Sequence, residues 1–460
     1  MPLQIVATRP DPALMTLPWH VPLEEWEEHV VPLPRGISRH VVRFVQLSGH
    51  VYAVKETREP IALREYRTLR ELRRLGEPAV EPMGVVTGRV GSDGEPIEPA
   101  LVTRHLTFSM PYRAMFSQEL PTASMVRLVD ALVVLLNRLH LAGFFWGDCS
   151  LSNTLFRPSA GAFAAYLVDA ETGELHDSVS DGQRAHDMEI ATSNVFAEIL
   201  DLQAGGYLDE SVDPHEIVAL LSGRYAALWS ELTAPEEFHP DEMWRIEQRI
   251  RRLNQIGFDV DELDIVTDWD GATMRIQPKV VDAGHHCRRL QSLTGLTVEE
   301  NQARRLLNDL DYYRARTDQQ GADEAVVAHE WLTDVFEPVV QSVPSELRAK
   351  LEPAEIYHEV LEHRWFLSEA AGAEVPIQKA AQSYIDTVLR RLPDEEVALS
   401  AVEAMGPLAN PFDPSQGFAD EEYEEPYDPW EDGAAAPGAG EEVPASDYLD
   451  IAALRAKAKK

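Results

Sequence analysis

Asp148 and Asn153 stand five residues apart in His140-Leu-Ala-Gly-Phe-Phe-Trp-Gly-Asp148-Cys-Ser-Leu-Ser-Asn153, directly after an apolar run. A carboxylate so placed can accept the proton of an attacking hydroxyl, and an amide five residues on can help hold Mg²⁺ against nucleotide phosphates. Alone the pair has little specificity, because Asp and Asn are common loop residues. Further groups give it weight. Lys55 ends Val51-Tyr-Ala-Val54, where an ammonium reaches the α- and β-phosphates. Glu65, on the next helical segment, can pair with Lys55 and aim it. Glu71 is the other candidate, and Glu65 is preferred because it directly precedes the apolar positions that would face a sheet. Asp169 closes Tyr166-Leu-Val168, sixteen residues after Asn153, where a strand-end carboxylate can serve as a second metal ligand. Phosphoryl transfer asks a protein for positioned cations, a base and a phosphate cradle rather than covalent chemistry. Each residue also has an ordinary reading: a surface lysine, a solvated helix charge, a turn aspartate before Thr172-Gly173. Their order, each on the strand, helix or loop the chemistry needs, is what sets them apart.

The elements that must position them follow from periodicity. Val41-Val-Arg-Phe-Val-Gln-Leu47 alternates as a strand, Ser48-Gly49 turns the chain, and His50–Lys55 returns as a second strand. Residues 61–75 have helical spacing, with Leu63, Tyr66, Leu69 and Leu72 on one side and Gly76 as the stop. Strands are expected near 83–90 and 99–105, a long apolar helix over 124–142, and a strand over 164–168. Helices are expected near 213–232, 240–256, 298–316, 325–341, 353–370 and 375–391, with one β-like piece at 274–281. Residues 405–446 are rich in Pro, Gly, Ala and acids and lack the apolar surface to fold.

At 460 residues the chain should hold two or three domains. Its composition is globular, with 44% apolar residues and nine Trp, and its net charge of -37 argues against nucleic acid as the main partner. Thirteen Asp and Glu, and no Lys or Arg, lie between 411 and 450. Only Cys149 and Cys287 occur, which excludes a disulfide framework and fits a reducing cytoplasm. The N-terminus carries no pattern of a signal peptide. The most apolar stretch, Leu128–Trp146, is broken by Asp130, Asn137, Arg138 and His140, so it reads as a buried helix and not a membrane span.

Val51-Tyr-Ala-Val-Lys55, Arg64-Glu65, Leu139-His140-x-x-Gly143, Gly147-Asp148-x₄-Asn153 and Leu167-Val-Asp169 together resemble the protein-kinase-like superfamily, and most closely the bacterial lipopolysaccharide (Kdo) kinases and their relatives. The resemblance covers about residues 36–205. It implies an α+β, two-lobed protein-kinase-like fold, with a small β-rich N-lobe and a helical C-lobe holding ATP and Mg²⁺ between them. It implies Lys55 on phosphate, Glu65 on Lys55, Asp148 as base, and Asn153 and Asp169 on metal. An Asp at the position of Asp187 commonly buttresses the catalytic-loop backbone in such folds; as a residue opening an apolar helix it also reads as an N-cap. About 206–400 looks like a bacterial domain of unknown function found behind such kinase-like domains, and no chemistry is implied by that match. The sequence departs from the superfamily pattern in three places. The phosphate loop Pro34-Arg-Gly36-Ile-Ser38-Arg39-His40 has one glycine, with Ser38 and Arg39 as partial substitutes on the nucleotide. Trp146 stands where His or Tyr is usual, and Ala170-Glu171 follows Asp169, closer to the Asp-x-Glu of phosphotransferases that act on small molecules. Cys149 has no histidine beside it in sequence and reads as a packing residue.

The expected organisation is an N-terminal lead-in over 1–35, a kinase-like domain over 36–205, a mainly α-helical domain over 206–400, and a disordered acidic tail with a short terminal helix over 401–460. The expected function is ATP- and Mg²⁺-dependent phosphotransfer to a hydroxyl of an unidentified acceptor, whether sugar, small molecule or protein, in the cytoplasm, with a protein partner conceivable for the helical domain. Two alternatives stand. One is a pseudokinase, a nucleotide-binding or scaffolding module without turnover. The other is polyanion or DNA binding by basic helices within 240–315, where Arg249, Arg251, Arg252, Arg288 and Arg289 precede a helix-turn-helix-like Leu293-Thr-Gly295-Leu-Thr297. His285-His286-Cys287 looks like a metal cluster, but adjacent residues point in different directions and no second ligand pair stands at the right spacing.

Overall fold

A hairpin sets the frame of the N-terminal half. β1 (Gln4–Val6) is followed by β2 (Val42–Leu47) and β3 (His50–Glu56), then α1 (Glu59–Arg74), β4 (Glu81–Thr87) and β5 (Ala100–Arg104), forming an antiparallel sheet in the order β1-β4-β5-β3-β2. Ser48 and Gly49 both have positive φ, 51° and 78°, as the two-residue turn between β2 and β3 requires, and the register Leu47↔His50 to Val42↔Lys55 follows from that turn. The computed structural model describes residues 3–8, 11–27, 30–31, 40–116, 123–238, 244–267 and 274–392. Ser38 and Arg39, and the segment expected as an acidic tail, lie outside the described residues.

The described residues of the segment expected as a lead-in pack onto this sheet. β1 adds an edge strand to the sheet, and Leu14, Leu17, Trp19, Leu23 and Trp26 pack with Val45, Tyr52, Val54, Val86 and Val102 in one buried cluster. Arg89, buried at the same place, donates to the carbonyls of Trp19 (3.1 Å), Val21 (2.7 Å) and Glu98 (2.7 Å) and to Glu56 (2.6 Å). A buried guanidinium so saturated pins the early segment onto the sheet.

The C-terminal half of the kinase-like region runs β6 (Met110–Pro111), α2 (Tyr112–Phe116), α3 (Ala123–Leu141), β7 (Phe144–Phe145), β8 (Thr154–Ser159), β9 (Ala162–Leu167), β10 (Glu174–Leu175) and α4 (Asp181–Ala204). Leu128, Leu132, Leu135, Leu136 and Leu139 of α3 are all buried, which is why its sequence is apolar almost all round. β6-β8-β9 and β7-β10 are small sheets from which the loops carrying Asp148 and Asp169 hang.

After residue 206 come α5 (Pro214–Thr233), β11 (Glu236–Phe238), α6 (Trp244–Gln255), β12 (Phe258–Thr267) and β13 (Met274–Ala283). Then follow α7 (His285–Thr294), α8 (Glu300–Arg316), α9 (Glu324–Trp331), α10 (Glu337–Gln341), α11 (Pro353–Ala371) and α12 (Ile377–Thr387). The β content is larger than the one β-like piece expected there, since β12 and β13 form a long antiparallel pair joined by β11. The expected helix over 325–341 is interrupted by a π-helical stretch, Leu332–Phe336, just ahead of Pro338, which cannot donate to a regular ladder. The hydrophobic clusters do not divide at 206. Ile217, Leu221, Tyr225, Leu228 and Leu232 of α5, with Leu253 and Phe258, share one cluster with α3 and α4, while a separate cluster runs from Leu290 to Leu389. No helix among the described residues is long and apolar enough to cross a membrane.

Candidate active site

Lys55 lies near the end of β3, a position that lets one side chain reach both α1 and the segment after β9. Its Nζ is 3.1 Å from Glu65 Oε2, 2.9 Å from Asp169 Oδ2 and 3.2 Å from Glu171 Oε2. Glu65 faces inward from α1 and is 1% exposed, whereas Glu71 points to solvent and pairs with Arg74. Burial and the nearby Asp169 push the Glu65 carboxyl up to about 7, with Lys55 pulling the other way. Burial works against the Lys55 charge, but Glu65 and Asp169 outweigh it and raise its pKa. Glu65, Asp169 and Glu171 place carboxylate oxygens within 4.8 Å of one another, the only such metal-capable group among the described residues.

Glu171 is a site residue that the sequence motifs do not assign. Its Oε2 also contacts His40 Nε2 at 2.8 Å, and its carbonyl accepts from Arg64 Nη2, so it ties the N-lobe to the segment after Asp169. The signal in the sequence is the Asp-x-Glu spacing; what it lacks is the fold that turns Glu171 back onto Lys55. Glu171 N donates to Asp169 Oδ1 at 2.9 Å, which closes the turn and presents both carboxylates together.

The Asp148 loop is held from below. Asp187 is wholly buried and accepts from Trp146 N (2.8 Å), Gly147 N (2.7 Å) and His140 Nε2 (3.0 Å). It lies in the body of α4, whose N-cap is Ser180, so the N-cap reading of Asp187 does not stand and the buttress does. Gly147, with φ 74°, makes the bend that brings both amides onto one carboxylate. Glu198, about three turns further along the same face of α4, accepts from Leu151 N (2.9 Å), Ser152 N (2.8 Å) and Ser152 Oγ (2.6 Å). Burial pushes Glu198 up to about 7, with those hydrogen bonds opposing. Asn153 Nδ2 donates to Asp148 Oδ2 at 2.9 Å and to the Asp148 carbonyl at 3.1 Å, and the Asn153 carbonyl accepts from Val168 N at 3.1 Å. Trp146 is buried and its Nε1 donates to the Asp169 carbonyl at 3.0 Å. An indole in this position links the Asp148 loop to Asp169 directly. Cys149 is buried, and burial with Asp187 nearby raises its thiol pKa, so it is not a reactive thiolate.

Other expectations fare differently. His285 and His286 are spent on Asp259 and on Glu300 (2.6 Å). The basic residues of 240–315 are largely tied up internally. Arg249 is buried on the carbonyls of Glu231 and Ala234, Arg252 pairs with Glu231, Arg288 with Asp259 and Arg289 with Glu324. Glu299, not Thr297, caps the helix after Gly295. Among the described residues, these contacts engage four of the five arginines on which the DNA-binding alternative drew. A surface depression of about 420 Å³ among Asp11, His50, Tyr52 and Arg104 lies on the other face of the N-lobe sheet and shares no residue with the Lys55 cluster.

Residues 43–194 match the model of the lipopolysaccharide kinase (Kdo/WaaP) family, and residues 227–389 match a domain of unknown function, DUF4032. A solved structure titled "WaaP in complex with acyl carrier protein" is similar at 19% identity over 49% of this chain and 99% of that chain, with a TM-score of 0.31. No curated protein matches. The chain is therefore a kinase-like protein, a lipopolysaccharide kinase (Kdo/WaaP) family match at 43–194 followed by a DUF4032 match at 227–389.

Proposed function

We propose that this protein is an atypical kinase that transfers the γ-phosphate of ATP to a hydroxyl of an acceptor. The observation that carries the reading is the convergence of Glu65 and Asp169 on Lys55 Nζ, at 3.1 and 2.9 Å, beside the buttressed loop of Asp148 and Asn153. Mg·ATP, when bound, supplies the phosphoryl group and the divalent charge that offsets its oxygens. The residues fit it: hard oxygen donors gather at Asp169 and Glu171, and Asn153 has its side-chain Nδ2 spent on Asp148, which leaves its side-chain Oδ1 as the ligand atom. Lys55 holds phosphate, Glu65 orients Lys55, and Asn153 and Asp169 hold the metal. Asp148 Oδ2 is fixed by Asn153, so Oδ1 is the oxygen assigned to the acceptor's proton. Ser38 and Arg39 are assigned to the phosphates on sequence alone. The family match favours a sugar hydroxyl of the lipopolysaccharide type as acceptor. The packing supports a kinase-like domain that continues through α5 and α6, followed by a helical domain beginning near residue 285. Two free cysteines fit a cytoplasmic setting.

The test is Mg²⁺-dependent ATP turnover, with sugar, small-molecule and peptide acceptors, in wild type, Asp148→Asn and Asp169→Asn. Asp148→Asn should lower turnover by about 10²–10⁴-fold with nucleotide affinity nearly unchanged, and Asp169→Asn should abolish the Mg²⁺ dependence of binding. Turnover that survives both changes sinks the mechanism. One feature favours the alternative of a nucleotide-binding module without turnover: Lys55 already satisfies Asp169 and Glu171. Tight Mg·ATP binding by wild type with no turnover on any acceptor selects that reading.

A further inference from the structure

We propose that the helical domain is a positioning device for the metal-ligand end of the site. It grips the tip of the β8–β9 hairpin, whose opposite end presents Asn153 and Asp169. What the hairpin presents rests on the phosphotransfer reading; that it is gripped does not.

The hairpin runs from Thr154↔Leu167 to Ser159↔Ala162, directly between Asn153 and Val168-Asp169. At about 3.3 Å per residue, its tip is about 17 Å from the ligand end. β6 adds only Met110 and Pro111 to the β8–β9 pair, and so small a sheet is marginal by itself, so its placement depends on what packs against it. The ligand end is tied to the N-lobe through Leu167 N to Pro78 O (2.9 Å) and Val80 N to Leu167 O (3.0 Å). The tip is tied to α3 by one exposed bond, Arg127 Nη1 to Gly161 O (3.1 Å), and to the helical domain by a set of buried and half-buried ones.

Glu355, in the first turn of α11 and 4% exposed, accepts from the tip amide Ala160 N at 2.9 Å. Ala160 has φ 50° and Gly161 φ 77°, so a residue with a Cβ is held in left-handed backbone where the turn meets Glu355. Gln302, wholly buried on α8, donates to Glu355 Oε2 (2.8 Å) and to Pro158 O (3.3 Å), and its oxygen accepts Glu299 N (3.0 Å). Glu299 Oε1 in turn accepts from Arg157 Nη1 of β8 (3.0 Å) and from the Tyr166 hydroxyl of β9 (2.6 Å). Both strands and the turn are therefore held by two helices of the domain that follows. Apolar packing would hold the domains together at lower desolvation cost than a buried carboxylate. What the carboxylate adds is direction, since it fixes one amide in one place; the N-terminus of α11 supports its charge.

Glu355 and Gln302 are accordingly positioning residues, which touch neither nucleotide nor metal and act through the hairpin. The experiment compares the full chain as wild type, Glu355→Ala, Glu355→Gln and Gln302→Ala by amide hydrogen exchange, and measures ATP binding with and without Mg²⁺. Glu355→Ala should speed exchange by about tenfold not only at Ala160 but along the strands to Val168. It should weaken Mg·ATP binding about tenfold while changing Mg²⁺-free ATP binding by less than about twofold. Glu355→Gln, which keeps an acceptor for Ala160 N, should restore both. If Glu355→Ala does not fold, Gln302→Ala carries the same comparison. Faster exchange confined to 158–162, with Mg²⁺-dependent binding unchanged, overturns the proposal. If wild type binds no nucleotide, the phosphotransfer reading falls, and exchange alone decides the coupling: a change reaching Val168 upholds it, and a change confined to the tip overturns it.

Discussion

At the scale of single residues, the site is an ammonium surrounded by carboxylates. Lys55 touches Glu65, Asp169 and Glu171, and Glu65 is almost wholly buried. Removing one partner of a buried pair leaves the other uncompensated, at about 3–5 kcal/mol, unless it can take up a proton. Glu65 can, because burial has already brought it to about 7. Lys55→Met should therefore cost more stability at pH 8, where Glu65 must be charged, than at pH 6, where it is neutral, and should weaken nucleotide binding about tenfold or more. Urea unfolding at the two pH values and a nucleotide titration measure this. An equal loss at both pH values would mean that Glu65 is not the group left stranded. Lys55, Asp148, Asn153 and Asp169 can be picked out in the sequence because each ends or follows a strongly patterned segment, and Glu65 because it directly precedes apolar positions of a patterned helix. Glu171 stands in the sequence as the end of Asp-x-Glu, but its contact with Lys55 is visible only in the fold.

At the scale of elements, α4 is the platform on which the Asp148 loop rests. Its two buried carboxylates, Asp187 and Glu198, take five donors from residues 146–152 and one from His140. The raised Glu198 gives a pH signature. Its proton is held in the folded state between the ordinary glutamate value near 4.5 and about 7 but lost in the unfolded state, so folding stability falls as pH rises through that window. Each tenfold change in proton affinity is worth about 1.4 kcal/mol, which makes the contribution about 3 kcal/mol. Glu65 and Glu359, also raised to about 7, slope the same way. Glu198→Gln should remove its share of the slope between pH 5 and 7. It should also cost about 1 kcal/mol at every pH, because an amide nitrogen then faces a backbone N–H. Denaturant titrations across that range read both effects, and an unchanged slope would show that Glu198 titrates normally.

At the scale of the whole molecule, the position of α5 decides where one folding unit ends. Ile217, Leu221, Tyr225, Leu228 and Leu232 are buried in the same cluster as α3, Tyr225 bonds His140 at 2.6 Å, and Arg224 pairs with Asp130. Five such side chains contribute about 10 kcal/mol, comparable with the whole stability of a domain. A chain ending at residue 205 should show no cooperative thermal transition, whereas one ending at 283 should keep one. Calorimetry of both distinguishes this packing from a boundary near 206. The helical region then stands as a second core that reaches back to the first through the hairpin tip.

The sequence alone determined the local elements and the residues that could do chemistry. Hairpin turns such as Ser48-Gly49, the apolar α3 and the Asp148–Asn153 spacing are short-range patterns, and short-range sterics and burial set them. It did not determine which polar residues would be buried and against what. Glu198, Gln302 and Glu355 sit on helices whose sequences do not mark them, and the arginines of α6 and α7 look like a free basic face until their carbonyl and carboxylate partners arrive from other elements. Those pairings lie far apart in sequence, so only the tertiary structure decided that α5 completes the first core and that the second core holds the hairpin next to Asn153 and Asp169. A carboxylate has no role until the fold decides whether water or an unpaired amide faces it.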